Sequence, residues 1–320
     1  MTELNLNLPA LDQLRTCQNL LIAGMGGGFD LYAGLPLYFE LERRRIGLHL
    51  ASLSLRDITR LESEQRLTDT LAGLSADYTG RAGYFPELHL VRWFQQRLGE
   101  AVTVWCFHKT GVRTLVENYR TLVEYLSVDG LLLVGGGVAP LLGGDEAQAP
   151  AMEEAWISLL AAGELPGVPV RIMACLGLGA EPDAPYAEVF ENIATLARDG
   201  AFLGSCALAR QMAVYQLYRD AVLYAQEQPY QQASAVDSAV ISAVEGAYGD
   251  YHLTDATRGT VLHISPLISL YWFFDAAAVA ASHRLAETLS PSHEYMEAYR
   301  AAVQARRQIE RRPLPPSPLP

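Results

Sequence analysis

Three short apolar runs in this chain end on glycines and then on carboxylates, and that repeat restricts its fold more than any other feature. Residues 20–23 (LLIA) lead into Gly24, Gly26, Gly27 and Gly28, followed by Asp30. Residues 131–134 (LLLV) lead into Gly135, Gly136 and Gly137, with Gly143, Gly144, Asp145 and Glu146 beyond. Residues 171–176 (RIMACL) lead into Gly177 and Gly179, then Glu181 and Asp183. Apolar runs of this length between turn signals read as strands buried on both faces, and the glycines allow the tight turns that follow. Helical patterns fill the intervals. Strand–helix alternation of this kind predicts an α/β, Rossmann-like fold: a mostly parallel sheet with helices on both faces. The C-terminal strand ends then share one edge, where ligands bind at the switch point of strand order.

Strands are expected over 19–23, 48–55, 102–107, 130–134, 170–176 and 261–264. Helices are expected over 31–44, started or bent by Pro36, over 86–98 and over 235–248. Another is expected over 112–126, where Leu115, Val116, Tyr119, Leu122, Val123 and Leu126 keep helical spacing. A long helix or helix pair is expected over 186–228, with 199–208 as the turn inside it. The aromatic run Tyr271 to Phe274 reads as core. The expected organisation is an N-terminal extension over 1–17, one α/β domain over 18–293, a charged helix over 294–312 and a Pro-rich tail over 313–320. That tail (PLPPSPLP) has little to bury and is expected to be disordered; a proline-rich ligand for an SH3-like partner is the alternative.

The chain of 320 residues is 50% hydrophobic with a net charge of −12, enough for a sizeable core. That acidity argues against generic nucleic-acid binding, which needs a dense Lys/Arg surface, and against adsorption to anionic membranes. The four cysteines, Cys17, Cys106, Cys175 and Cys206, are widely spaced and form no zinc-like pattern. They read as reduced core thiols of a cytoplasmic protein. The first residues, MTELNLNLPALDQLR, lack the basic start and apolar stretch of a signal peptide. The apolar segment 267–280 is broken by Asp275 and is too short to span a bilayer. The expected partner is a small molecule, and a homo-oligomer is left open.

The glycine turns supply the candidate ligand contacts: backbone N–H groups around Gly24, Gly26, Gly27, Gly28, Gly135, Gly136, Gly137, Gly144, Gly177 and Gly179. Each cluster also has a plain reading as a structural turn. Asp30 is a candidate catalytic or ligand-gripping acid, or a helix cap. Asp145 and Glu146 are candidate acid–base groups or ligands for Mg²⁺, or simply acids favoured at a helix start; Glu153 and Glu154 carry the same two readings more weakly. His108 follows the third predicted strand and is a candidate acid–base group, with Lys109 beside it as a phosphate contact; a His-Lys pair at such a place is more often simply solvated. Glu87, after Phe85-Pro86, either caps its helix or reaches the crevice. Ser265-Pro266 is expected to end the last strand on the same edge.

No Gly-Lys-Ser/Thr loop follows any strand, and no Gly-x-Ser-x-Gly elbow occurs. Gly24-x-Gly26 supplies half of a dinucleotide fingerprint, but Phe29 stands where its last glycine belongs, so NAD is not the expected cofactor. Asp57, two residues beyond the second strand, is a weak candidate for a ribose contact.

LLIAGMGGGFDLYAGLPLY, YFPELHLVRWF, the Gly-Gly-Gly and GGDE segments with Glu153-Glu154, and ISPLISLYWFFD occur in this order. Together they resemble the domain-of-unknown-function 1152 family of bacteria and archaea over roughly residues 18–285. The resemblance implies an α/β domain with the Gly-Gly-Gly-x-Asp turn as its signature, and it carries no activity. Where the family pattern has Gly-Gly-Thr-Asp, this chain reads Gly136-Gly137-Val138-Ala139, so an acid of the pattern is missing. The expected function is binding of a small polar metabolite or nucleotide at the sheet edge by an enzyme of hydrolase or group-transfer type. A non-catalytic ligand-binding or regulatory module is the alternative. A purely structural or assembly role is a third reading, but it leaves the clustered glycine turns unexplained.

Overall fold

The structure is a computed structural model that describes residues 8–44, 46–63, 65–80, 83–146, 153–181, 184–260 and 262–313. Asp183, the side chain of Glu153 and the Pro-rich tail after Pro313 lie outside these residues.

The strands are β1 (Asn19–Gly27), β2 (Gly47–Leu53), β3 (Arg66–Thr68), β4 (Leu71–Leu74), β5 (Val104–Phe107), β6 (Gly130–Gly136), β7 (Val170–Leu176), β8 (Phe202–Ala207), β9 (Gly249–Asp250), β10 (His263–Ile264) and β11 (Leu270–Asp275). Nine of them form one sheet in the order β3-β4-β5-β2-β1-β6-β7-β11-β8. The central run β5-β2-β1-β6-β7 is parallel throughout, as the Rossmann-like reading requires. Antiparallel strands extend it on both sides: β4 and β3 beyond β5, β11 and β8 beyond β7. Strand order reverses at β1, which lies between β2 and β6. The switch point lies between β1 and β6.

Alternation along the strands divides the core. Leu20 and Ile22 face one layer, with helices Leu35–Glu42, Pro86–Trp93, Ala213–Gln226 and Ala235–Val244. Leu21, Ala23 and Met25 face the other, with helices Val112–Leu126, Glu153–Gly163, Tyr186–Arg198, Ala276–Ser282 and Tyr295–Gln308. The two end segments join these layers. Ala10 and Leu14 of helix Pro9–Leu14 are fully buried, as are Ala298 and Ala302 of the charged C-terminal helix.

The structure corrects several sequence expectations. Residues 202–207, read as part of a turn between helices, are strand β8, and the aromatic run 271–274 lies in β11. Alternation is weak there because both faces of β11 bear aromatics: Phe273 packs in the first layer and Phe274 in the second. The expected strand at 261–264 is only His263–Ile264, paired with Gly249–Asp250 in a separate ribbon. Ser265 therefore does not end a strand of the main sheet. The expected helix at 31–44 begins at Leu35, with Pro36 in its first turn, where the missing N–H costs nothing; residues Gly28–Gly34 form a 3₁₀ segment instead.

Candidate functional site

The first glycine cluster is not a simple turn. β1 continues through Gly24 to Gly27, with a register shift against β2 between those two glycines. The 3₁₀ segment then folds back on the strand so closely that a Cβ on Gly24 would sit 2.8 Å from the Leu31 backbone nitrogen. This fold-back brings Asp30 over its own strand end. Gly26 N–H donates to Asp30 Oδ2 at 2.6 Å, and Gly136 N–H, at the end of β6, donates to Oδ1 at 3.3 Å. One carboxylate thus bridges the two strands that flank the switch point.

Asp30 sits deep in the molecule yet keeps partial exposure, as do Gly26, Gly27, Tyr84, Gly136 and Glu181. Burial raises its pKa to about 7 against the pull of the two backbone N–H donors, and the nearby acids Asp237 and Glu181 add to the rise. Glu181 caps the next turn: Val138 N–H donates to its Oε2 at 2.7 Å, and burial raises it too. Glu181 is held from behind, its own N–H bonding the Tyr186 hydroxyl at 2.9 Å.

Helix Ala235–Val244 closes this edge. A Cβ on Gly177 or Gly136 would meet the Val236 side chain at 2.6 or 3.2 Å. Asp237 is buried, accepts from Tyr218 Oη at 2.7 Å and from Ser234 Oγ at 2.5 Å, and is raised by burial to about 6. Before this helix, Gln231 accepts from Phe85 N–H at 3.0 Å and donates to Gly83 O at 2.8 Å, tying the two loops on either side of Tyr84 and Tyr230.

Glu87 lies beside this group at the end of β2. It is 1% exposed, accepts from Ser52 Oγ at 3.1 Å, and is raised by burial to about 7. Its Oε2 has no hydrogen-bond partner among the described residues. Tyr84 links the two ends: a Cβ on Gly28 would collide with its hydroxyl, and its phenol is pushed up by burial and then by Glu87, Asp237 and Asp30.

The structure therefore brings together Asp30, Gly26, Gly27, Gly28, Gly136, Gly137 and Gly177, with Glu87 adjacent. Gly24 and Gly135 are buried packing positions; a Cβ on Gly135 would meet Met25 Cε at 2.8 Å. Gly179, at φ +107, faces Ile268. His108 follows β5, its N–H bonding Thr70 O at 2.8 Å, with Asp57 as its charged neighbour. Lys109 forms an ion pair with Glu154 and covers the Tyr295 ring at 3.8 Å. Neither stands among the groups acting on Asp30.

Asp145, Glu146 and Gly144 lie at a different place, and the expectation of one shared acidic edge is corrected there. Glu146 accepts from the N–H groups of Gly143 and Gly144 at 2.5 and 3.0 Å and from Asn192 at 3.2 Å. Arg312 bridges Asp145 at 3.0 Å, Glu146 at 3.2 Å and Glu191 at 3.1 Å. Cavities of ≈ 380 and ≈ 450 Å³ flank this arginine. The pair thus clasps the C-terminal segment. Among the described residues no group of three or more His, Cys, Asp or Glu side chains is arranged to hold a metal ion. Arg312→Ala is expected to lower stability by about 1–3 kcal/mol, because it strips the partner from two largely buried carboxylates; urea unfolding checks it, and an unchanged midpoint would contradict the clasp.

Sequence reasoning placed Asp30 on the edge but missed Asp237 and Tyr84 as its companions. Ser234 and Asp237 carried a capping signal, and capping is what Ser234 does for its helix. Their approach to Asp30 depends on a chain reversal invisible in local pattern.

No helix among the described residues is long and apolar enough to cross a membrane. No curated protein and no solved structure matches the chain. A family model described as "Protein of unknown function (DUF1152)" matches residues 53–310. That segment contains Tyr84, Glu87, the second and third glycine turns, Glu181 and Asp237, while β1 up to Asp30 precedes it. The match covers most of the chain, and the protein belongs to the DUF1152 family.

Proposed function

We propose that the protein binds a small polar metabolite at the C-terminal edge of its sheet and acts on it by hydrolysis or group transfer, with Asp30 as the proton-handling group. The observation that carries this reading is the carboxylate bridging β1 and β6 at the switch point, deep in the fold but partly exposed. A carboxyl raised to about 7 exchanges its proton near neutral pH, which suits general acid–base work. The free cysteines, three of them buried, fit a cytoplasmic protein.

The test compares small molecules carried through native purification by the wild type and by Asp30→Asn, using mass spectrometry. A molecule retained by the wild type and lost from a folded Asp30→Asn protein is the expected result. Identical complements on the two proteins would remove Asp30 from the site. A second reading, binding without chemistry, draws on Val138 and Ala139: both are buried in the second core layer, where the family pattern has a polar pair. It predicts that any retained molecule is recovered unaltered after prolonged incubation with the protein.

A further inference from the structure

One backbone position beside this edge is at odds with its residue. Gln231 N–H donates to Gln228 O at 3.2 Å, closing a four-residue turn with Pro229 second and Tyr230 third. Tyr230 has φ +66. A turn with proline second and a left-handed third residue ordinarily takes glycine or asparagine there, because a Cβ is strained. Ser127, the other left-handed residue besides glycine among the described ones, ends a helix, where that conformation is usual. Tyr230 is 72% exposed, and among the described residues its side chain forms no hydrogen bond, ion pair or ring contact. The fold bears the strain without using the ring, which is the mark of a functional position.

The turn is pinned at the mouth of the site. The Gln231 amide bonds Phe85 N–H and Gly83 O, so Tyr230 stands beside the loop that sets the Tyr84 hydroxyl over Gly28. Leu55, past the end of β2, lies over Gly27, where a Cβ would run into it, and is 50% exposed. Arg56 stands on the Phe85 ring at 5.6 Å, so the rim also carries a cation. Asp30 lies against the same glycine segment through Gly26 N–H. The rim is thus aromatic and apolar while the floor is acidic. Such a division suits a compound with a flat face at one end and polar groups at the other.

We infer that the ligand of this edge carries a planar heteroaromatic ring, a nucleobase or one of similar size, which stacks on Tyr230 beside Leu55 while its polar part reaches Asp30. This rests on the proposed function, since it names part of the molecule that occupies that same site. A tyrosine ring has few rotatable bonds, and a pinned turn leaves it little further freedom to lose on binding. A polyol or an alkyl amine would leave that face in water.

Thermal shift on the full chain tests the inference. The planar probes are adenosine, guanosine, cytidine, uridine and AMP; the comparison probes are ribose, inositol, glutamate and spermidine. At least one planar probe is expected to raise Tm. Its affinity should fall about tenfold in Tyr230→Ala and be retained in Tyr230→Phe, which keeps the ring. Tyr230→Gly removes ring and strain together, so the free protein should melt no lower than the wild type while binding the probe as weakly as Tyr230→Ala. Stabilisation by comparison probes alone overturns the inference. Planar binding that Tyr230→Ala leaves unchanged, or that Tyr230→Phe weakens equally, overturns the stacking. A lower Tm of free Tyr230→Gly would make the ring structural. A dimer in sedimentation that Tyr230→Ala dissolves would give the ring to a second copy of the chain instead. If no probe binds, the inference fails. A molecule that the wild type retains through purification, that Asp30→Asn loses and that has no planar ring would uphold the proposed function and overturn this inference alone.

Discussion

Gly137→Ala is expected to destabilise the fold by about 2.5–5 kcal/mol, well beyond the cost of the same change at Gly200. Both glycines have left-handed backbones, φ +89 at Gly137 and +79 at Gly200, so both substitutions incur the penalty of an L residue there, about 1–2 kcal/mol. At Gly200 a Cβ would meet nothing within 4 Å, whereas at Gly137 it would sit 2.5 Å from a Glu181 oxygen. Glu181 can move, but only by releasing the Val138 N–H that it accepts at 2.7 Å. Losing that charge-assisted bond at a buried carboxyl adds about 1.5–3 kcal/mol. Chemical unfolding of the two variants isolates the difference. Adding Glu181→Ala to Gly137→Ala removes the collision, so the double variant should be less unstable than the two single losses summed. Equal costs at Gly137 and Gly200 would mean that Glu181 does not cap the second turn.

The same residues show where sequence was sufficient and where it was not. β1, β6 and β7 were legible because buried parallel strands are nearly continuous apolar runs, and their glycines mark the end of each run. From that much, parallel strands and a common edge follow, which placed Asp30 correctly. Sequence could not show that the first cluster is a strand with a register shift, because glycine turns and glycine bulges share a composition. Nor could it separate Asp145 and Glu146 from Asp30. Both acids follow a glycine turn, but the chain after Leu142 leaves the edge to meet Asn192 and Arg312, and only the distant partners reveal that. Strand β8 was hidden for a related reason: most of its residues are only partly buried, so it lacks the apolar run that marked the central strands.

The pH dependence of stability carries the second large effect, and its sign follows from opposing groups. Asp30 and Glu87 are raised to about 7 and Asp237 to about 6, in each case chiefly by burial. Unfolded, these carboxyls ionise near pH 4. Between those limits the folded chain holds more protons than the unfolded one, so each group's contribution to stability is greatest at acid pH and declines until its folded value is passed. Two buried histidines act the other way. Burial lowers His89 and His283 to about 4, so from there up to about 6.5 the unfolded chain takes up the extra protons and stability rises with pH. Three carboxyls outweigh two histidines, so the histidines offset only part of the downward slope. Only above about pH 7.5 are the histidines neutral in both states. Stability is therefore expected to fall steadily from pH 5 to 7 and to level off towards pH 8. The steepest slope approaches about 1.4 kcal/mol per pH unit for each proton still held. Urea midpoints at half-unit intervals measure the curve, and a midpoint that rises from pH 6 to 8 would contradict it. Asp30→Asn and Glu87→Gln should each flatten the fall, because neither amide titrates. An alkaline fall as steep in both variants as in the wild type would mean that the acids of the β1 and β2 ends are ionised in the native protein at neutral pH, and Asp30 would then lack the proton its proposed role requires.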